Sequence, residues 1–450
     1  MRYRFEIGNI IVGKLGNTYL GIGDDRPMIT IARSRSGKSS TVLEPNLYLY
    51  PGSMLVLDPK GELSRTARYR RAMGHNVYVW DPFGQSGEAS ASFNCLEELD
   101  VESPAVVDHA MSVVNALVPD QNEGGNSKHF NDCARRLLLG LILYTLTIRD
   151  PAQRNLITVR QLVTLSEPEL VSQARQTAEK ARKAAAARGE PLRIDVSSVA
   201  VGLLLERLVS LGSRFGGVAA AIGNSFLNTP AGERGSVFST AVAHTDFLDS
   251  LPLREVIGHS DFRLSTLRAD QPATIYLVLP LGELERQFRC LRTIFQLTCI
   301  VLERMGTYPR DRLPIVAMLE EFPVLKHMSI IESAIAYLPG FGLRAWLTVQ
   351  SLEQLTIEYP RSYQTILGNC GLVQIFSAGD DPSLRYLASQ LGKLMESFEM
   401  RQAFSRRKGS QLLMMEGEPP AAAMRLDHDD VALIRTYGAR AIERRAISLR

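Results

Sequence analysis

Short apolar runs closed by Pro, Gly or acidic residues recur along this chain. Met28–Ile31 (MITI), Met54–Leu57 (MLVL), Asn76–Trp80 (NVYVW), Thr274–Leu279 (TIYLVL), Pro314–Leu319 (PIVAML), Leu343–Val349 (LRAWLTV) and Leu372–Phe376 (LVQIF) mostly lack the polar alternation of a half-exposed strand. Such runs fit strands buried on both faces of a parallel sheet. Segments with helical spacing lie between them: Leu63–Met73, Glu283–Glu303, Ser329–Tyr337 and Pro382–Leu391. Strands alternating with helices predict an α/β fold with a mostly parallel central sheet. Ahead of this pattern, Ile10–Val12 and Tyr19–Ile22 predict a small strand pair. Near the end, Val431–Arg435 and Ala441–Leu449 flank Tyr437-Gly438 and predict a hairpin.

The rhythm changes from about Glu97 to Leu227, where helical periodicity dominates and strand signals are scarce. Phe130–Leu146 and Val199–Leu211 are apolar and helix-like. This block predicts an all-α insertion, and it divides the chain into 1–96, 97–234 and 235–450. Within it, Gln173–Arg188 (QARQTAEKARKAAAAR) is rich in Ala, Lys and Arg. It reads as the solvated face of a helix, with a basic arm for nucleic acid as the alternative.

Composition narrows the picture. The 450 residues suffice for two or three domains, and 45% apolar with 22% charged content is that of a soluble globular protein. A net charge of +3 makes any nucleic-acid surface a local patch. The five cysteines have no CxxC spacing, which predicts reduced thiols and neither a metal nor a disulfide framework. The longest apolar run, Leu137–Leu146, is about half the ~20 residues needed to span a bilayer. The expectation is a cytoplasmic chain.

The candidate chemistry begins at Pro27–Leu47 (PMITIARSRSGKSSTVLEPNL). A short strand, a loop ending Gly37-Lys38-Ser39 and a helix-compatible run have the layout of a P-loop, whose backbone N–H groups cradle phosphate. The cradle would be Ala32, Arg33, Ser34, Arg35, Ser36, Gly37, Lys38, Ser39 and Ser40. Lys38 would reach the β- and γ-phosphates, and Ser39 would hold Mg²⁺. Two departures stand out: Ala32 occupies the place of the opening Gly, and the loop is basic. An ordinary helix N-terminus with a Ser cap is the plainer alternative. A P-loop also needs acids at the end of a nearby buried strand, and Glu320-Glu321 after Pro314–Leu319 fit. Glu320 would join the Mg²⁺ shell, in a place usually held by Asp. Glu321 would orient or deprotonate the attacking water. Gln350, at the tip of Leu343–Val349, fits a γ-phosphate sensor. Exposed capping acids and a turn amide are the plainer alternatives for these three. For DNA contact, the loop around Arg361 and the tail Arg401–Lys408 (RQAFSRRK) are candidates.

The runs RSRSGKSSTVLEPNL, LVLDPKGEL, VYVWDPF, ERGSVFST, TIYLVLP, VAMLEEF, LTVQSLEQL, ILGNCGLVQIF and DDVALIRTYGARAI resemble the type IV secretion coupling proteins. These form the TraG family within the FtsK/HerA-like ring ATPases, and the likeness extends from about residue 20 to the C-terminus. The resemblance implies a RecA-like P-loop NTPase domain carrying an inserted all-α domain. It implies ATP and Mg²⁺ as cofactors and a homo-oligomer, a six-subunit ring. The cargo would be single- or double-stranded DNA bearing a relaxase, or effector proteins, handed to secretion channel components at the inner membrane. By position, Lys38 and Ser39 match the family's phosphate and metal residues, Glu320 and Glu321 its acidic pair, and Gln350 its sensor. Arg344 is the one candidate for the arginine that ring ATPases extend to a neighbour's γ-phosphate. The family's N-terminal membrane helices have no counterpart here, so the expectation is peripheral association through partners. The alternatives are a nucleotide-binding recruitment platform with little or no hydrolysis, on the grounds of Ala32 and Glu320, and a soluble FtsK/HerA-like DNA translocase.

Overall fold

The computed structural model describes residues 3–119, 126–189, 193–377, 380–391, 402–404 and 408–436. The chain forms two compact units. The first comprises Met1–Ala91, Leu264–Leu291 and Thr298–Arg450, and the second Ser92–Arg263 with Arg292–Leu297.

The first unit is built on an 11-stranded sheet. Its strands are β1 (Ile10–Leu15), β2 (Thr18–Ile22), β3 (Met28–Ile31), β4 (Met54–Asp58), β5 (Asn76–Trp80), β6 (Ala273–Val278), β7 (Ile315–Leu319), β8 (Leu343–Val349), β9 (Leu372–Ile375), β10 (Ser410–Met415) and β11 (Ala421–Met424). The order is β2-β1-β11-β10-β9-β3-β8-β7-β4-β6-β5. From β9 to β5 every neighbouring pair is parallel, and from β2 to β9 every pair is antiparallel. The expected parallel α/β sheet is therefore present, and every residue of β3, β4, β6, β7, β8 and β9 is buried. This is the physical sense of their unbroken apolar runs, since a sheet covered on both faces has no wet side to encode. The order places β8 between the P-loop strand β3 and the acid-bearing strand β7. The C-terminal ends of all three therefore share one edge of the sheet.

The end of the chain differs from expectation. β10 and β11 were not legible as strands. Val431–Arg435 is no hairpin strand but part of a helix running from His428 to Thr436. The Asp427 carboxylate accepts the Asp430 N–H, and its carbonyl accepts the Val431 N–H, so Asp427 opens the helix. Val431 and Ile434 then pack with Ile11, Tyr48 and Leu426. Tyr437-Gly438 and Ala441–Leu449 lie outside the described residues, as do four residues of Arg401–Lys408.

The second unit is helical, including Val106–Leu117, Asn126–Thr145, Leu156–Val163, Pro168–Ala187, Val196–Val209, Val218–Leu227 and Ala231–Thr245. It begins near the expected 97 and runs past 234 to Arg263. The reason is that Ala231–Thr245 buries Val237, Phe238 and Ala241, and the following turn buries Phe247 and Leu248. Gly223 lets two helices cross closely, because a Cβ there would stand 2.7 Å from the Leu205 carbonyl oxygen. In the basic helix Pro168–Ala187 only Leu170, Ala174 and Ala178 are buried, and its Lys and Arg side chains face solvent. Among the described residues no helix is long and apolar enough to cross a membrane.

Candidate active site

β3 delivers the chain into the loop 32–37. The Ala32 N–H donates to the Val349 carbonyl (2.9 Å), so Ala32 still belongs to the β3–β8 ladder. It is buried and does not take a positive φ, so its methyl group is accommodated where P-loops carry Gly. The positive φ falls later, at Gly37 (+88°) and, against residue preference, at Arg35 (+60°). Arg33, Ser34 and Arg35 are exposed and Ser36 is buried. The helix then opens with a π-helical turn, Ser39–Leu43, and continues as an α-helix over Glu44–Leu49. The Ser40 hydroxyl donates back to the Gly37 carbonyl (3.2 Å) and fixes this entry.

Five residues expected to act together do meet. The Ser39 hydroxyl donates to Glu320 Oε1 at 2.7 Å. Lys38 Nζ lies 3.8 Å from Glu320 and 3.9 Å from Glu321. Gln350 Nε2 donates to Glu321 Oε1 at 2.8 Å. Glu320 Oε2 is buried and has no hydrogen-bond partner among the described residues. Burial pushes Glu320 above the usual carboxylate range, with the Lys38 charge and the Ser39 hydrogen bond opposing. Burial likewise pushes the Lys38 ammonium down, and the two acids pull it back. Lys60 adds positive charge near both residues.

Two motifs acquire structural reasons. In Asp58-Pro59-Lys60-Gly61-Glu62 the buried Asp58 carboxylate accepts the N–H groups of Glu62 (3.1 Å) and Ser64 (2.7 Å). These bonds hold its charged form against a burial that raises its pKa. The loop turns at Gly61 (φ +65°), where a Cβ would crowd Gln85. In Gln350-Ser351-x-x-Gln354, Ser351 caps the helix Leu352–Glu358, and the Gln354 side chain accepts the Gln350 N–H at 2.8 Å. The motif is a capping device that fixes the backbone of Gln350.

Arg344 is not brought to the site. It is 2% exposed inside β8, and its guanidinium donates to the carbonyls of Arg26 (3.1 Å) and Ile22 (3.2 Å). Burial brings its pKa down to about 10. A side chain spent inside its own sheet does not extend to a neighbour, so the finger role falls.

Two residues gain importance only in the structure. Thr348 Oγ1, buried in β8, accepts both Lys38 Nζ (3.1 Å) and the Glu321 N–H (3.0 Å). Glu321 itself is left-handed (φ 60°, ψ 50°), a conformation strained for a non-glycine residue. Arg425, just after β11, donates to the Ser36 carbonyl of the loop at 3.0 Å. The faint signal for Thr348 was a polar residue two places before Gln350, on the same face of the strand. Arg425 carried none.

The sequence matches the family model described as Type IV secretory system Conjugative DNA transfer over residues 2–412. Among curated relatives, it is 24% identical to a conjugal transfer protein TraG of Escherichia coli, covering 75% of this chain and 50% of the relative. It is 25% identical to a VirD4 protein of Agrobacterium fabrum, covering 83% and 51%. The chain thus spans about half the length of the curated relatives it matches. The bacterial conjugative coupling protein TrwBdeltaN70, in its unbound monoclinic form, superposes with a TM-score of 0.66 at 13% identity, covering 94% of this chain and 89% of that one. TrwB in complex with ADP and Mg²⁺ superposes with the same TM-score, at 13% identity and covering 94% and 91%. The two share this fold.

Proposed function

The chain belongs to the type IV secretory system conjugative DNA transfer family, and from that premise we propose that its first unit is an ATP-binding, ATP-hydrolysing motor of a coupling protein. Its cargo is relaxase-bound DNA or protein, passed towards a secretion channel. It works in a homo-oligomeric ring and associates with the inner membrane through channel partners. The observation that carries the reading is the meeting of Lys38, Ser39, Glu320, Glu321 and Gln350 at the ends of three adjacent parallel strands.

The donor set fits the groups this requires. A Ser hydroxyl and a carboxylate with a buried, unpartnered oxygen are hard oxygen ligands suited to Mg²⁺. When bound, the ion supplies charge to the β- and γ-phosphate oxygens. Lys38 leaves the acids and meets phosphate. Glu321 is the group that takes a proton from water, and Gln350 holds the carboxylate of Glu321 in place. The extra methylene of Glu320, relative to Asp, is absorbed: its carboxylate already reaches Ser39. The loop's first residue needs no glycine.

Steady-state ATP hydrolysis, with and without single-stranded DNA, tests the proposal. Lys38→Ala and Glu321→Gln are expected to lower kcat by about 10²-fold or more, the scale of a lost general base or phosphate cation. Wild-type and variant rates that agree in both conditions would overturn it.

A further inference from the structure

Arg425 lies beyond the 2–412 span matched to the family, yet it reaches the centre of the phosphate loop. It is 6% exposed, and its backbone N–H is held by the Gly409 carbonyl (2.8 Å). Nη1 donates to the Ser36 carbonyl at 3.0 Å. Nη2 donates to the carbonyls of Ser410 (2.9 Å), Phe404 (3.4 Å) and Phe376. The guanidinium carbon sits 4.5 Å from the centroid of the Phe376 ring. One planar cation thus gathers carbonyls from the loop, from the chain just past β9, from the start of β10 and from the turn before it.

The consequence follows from peptide geometry. A trans peptide unit points its C=O and its N–H in opposite directions. With the Ser36 carbonyl turned to Arg425, the N–H of Gly37 in the same plane points away from it. That N–H is one of the groups a phosphate loop offers to its ligand. Gly37 at φ +88° has little steric preference of its own, so the carbonyl contact decides which way the plane faces. Lysine does not replace this. It has the charge but lacks the rigid fork that serves several carbonyls and stacks on a ring.

We infer that Arg425 is a positioning residue for the nucleotide, orienting the Ser36–Gly37 peptide so that the strand pair β10–β11 sets nucleotide affinity. This rests on the nucleotide reading of the loop given above. By linkage the coupling runs both ways: nucleotide in the loop tightens the strand pair.

The test compares wild type and Arg425→Lys by calorimetry with MgADP and by steady-state ATP hydrolysis. Loss of a buried, charge-assisted hydrogen bond corresponds to about tenfold or more in affinity. The expected result is a Kd and KM raised by about that factor, with kcat at saturation within about twofold of wild type. A Kd equal to wild type, even with a lowered melting temperature, would overturn the inference and leave the nucleotide reading intact. Absence of MgADP binding by wild type would overturn both. Should Arg425→Lys fail to fold, hydrogen exchange on the wild type decides. MgADP is expected to slow amide exchange across 408–425, and no change there would sink the inference.

Discussion

The Thr348 hydroxyl serves two donors whose placement decides whether the site can work. In the proposed site Lys38 Nζ waits for phosphate, and the Glu321 backbone keeps its left-handed turn. A non-glycine residue in that region costs on the order of 1–3 kcal/mol. A hydrogen bond returns about 1 kcal/mol, and one to a charged group about 1.5–3 kcal/mol. The two bonds to Thr348 are therefore of the size needed to hold the strained turn against the lysine. Thr348→Val keeps the shape and removes the acceptor, leaving a buried and a part-buried donor without it. We expect kcat to fall by about 10–100-fold, because Glu321 loses its hold, with a smaller rise in KM for ATP, because Lys38 loses one of the contacts that place it. Thr348→Ser should return most of the activity. Steady-state kinetics of the pair check this, and equal kcat for Thr348→Val and wild type would contradict it. Ala32 and Glu320 stand in the opposite relation to sequence expectation. Each departs from the usual residue, yet Ala32 needs no positive φ and Glu320 meets Ser39.

At the scale of elements, what could be read from the sequence depended on how local the signal was. The P-loop, the acids after β7 and Gln350 after β8 were legible because a buried strand and the residue at its end lie side by side in sequence. Thr348 and Arg425 were not, since each takes its role from partners brought in by the fold; Arg425 lies 389 residues from Ser36. The strands β10 and β11 are short, and their partners are each other, β9 and β1, so pairing rather than pattern defines them. The misread segment is Val431–Arg435, whose apolar residues suit a strand. Its cap at Asp427 and the seat for Val431 and Ile434 make it a helix. The same cap gives a pH prediction. Lys14 Nζ meets Asp427 (2.7 Å) and Asp430 (2.5 Å), tying β1 to the helix start. The hydrogen bond from Lys14 holds the Asp427 carboxyl at about 2, below its ordinary 3.8. A depressed carboxylate pKa contributes stability above the unfolded value and loses it as pH falls through the folded one. Helix docking should therefore weaken between about pH 4 and pH 2, read as rising amide exchange over 428–436 after correction for the intrinsic rate. In Asp427→Asn that pH dependence should shrink. A profile in the variant identical to wild type would refute the tie.

At the scale of the whole molecule, the helical unit is an excursion from a chain that otherwise builds one sheet. It leaves after β5 and returns before β6, and those two strands are hydrogen-bonded neighbours. Its two ends are themselves paired. The Asp261 N–H donates to the Ser92 carbonyl (2.9 Å), and the Ser92 N–H donates to the Asp261 carboxylate (2.7 Å). A chain whose exit and entry points touch is bridged by a short link at small entropic cost, since loop closure grows only slowly with length. Replacing Ser92–Arg263 by a short Gly/Ser link should therefore leave the sheet intact. One correction is needed. Arg292–Leu297 of the helix Leu281–Arg304 groups with the helical unit, and its Ile294, Phe295 and Leu297 are buried. Excision removes the unit this segment groups with, so these three are changed to polar residues with good helix propensity. The groups proposed to hold nucleotide, Lys38, Ser39, Glu320, Glu321 and Gln350, with Thr348 and Arg425, all belong to the first unit. The excised protein is thus expected to melt cooperatively and to bind MgADP within about threefold of the full chain, a difference under 1 kcal/mol. If the helical unit carries the cargo contact, DNA should no longer change its ATP turnover. Loss of MgADP binding in a variant that still melts cooperatively would show that the nucleotide site depends on the helical unit.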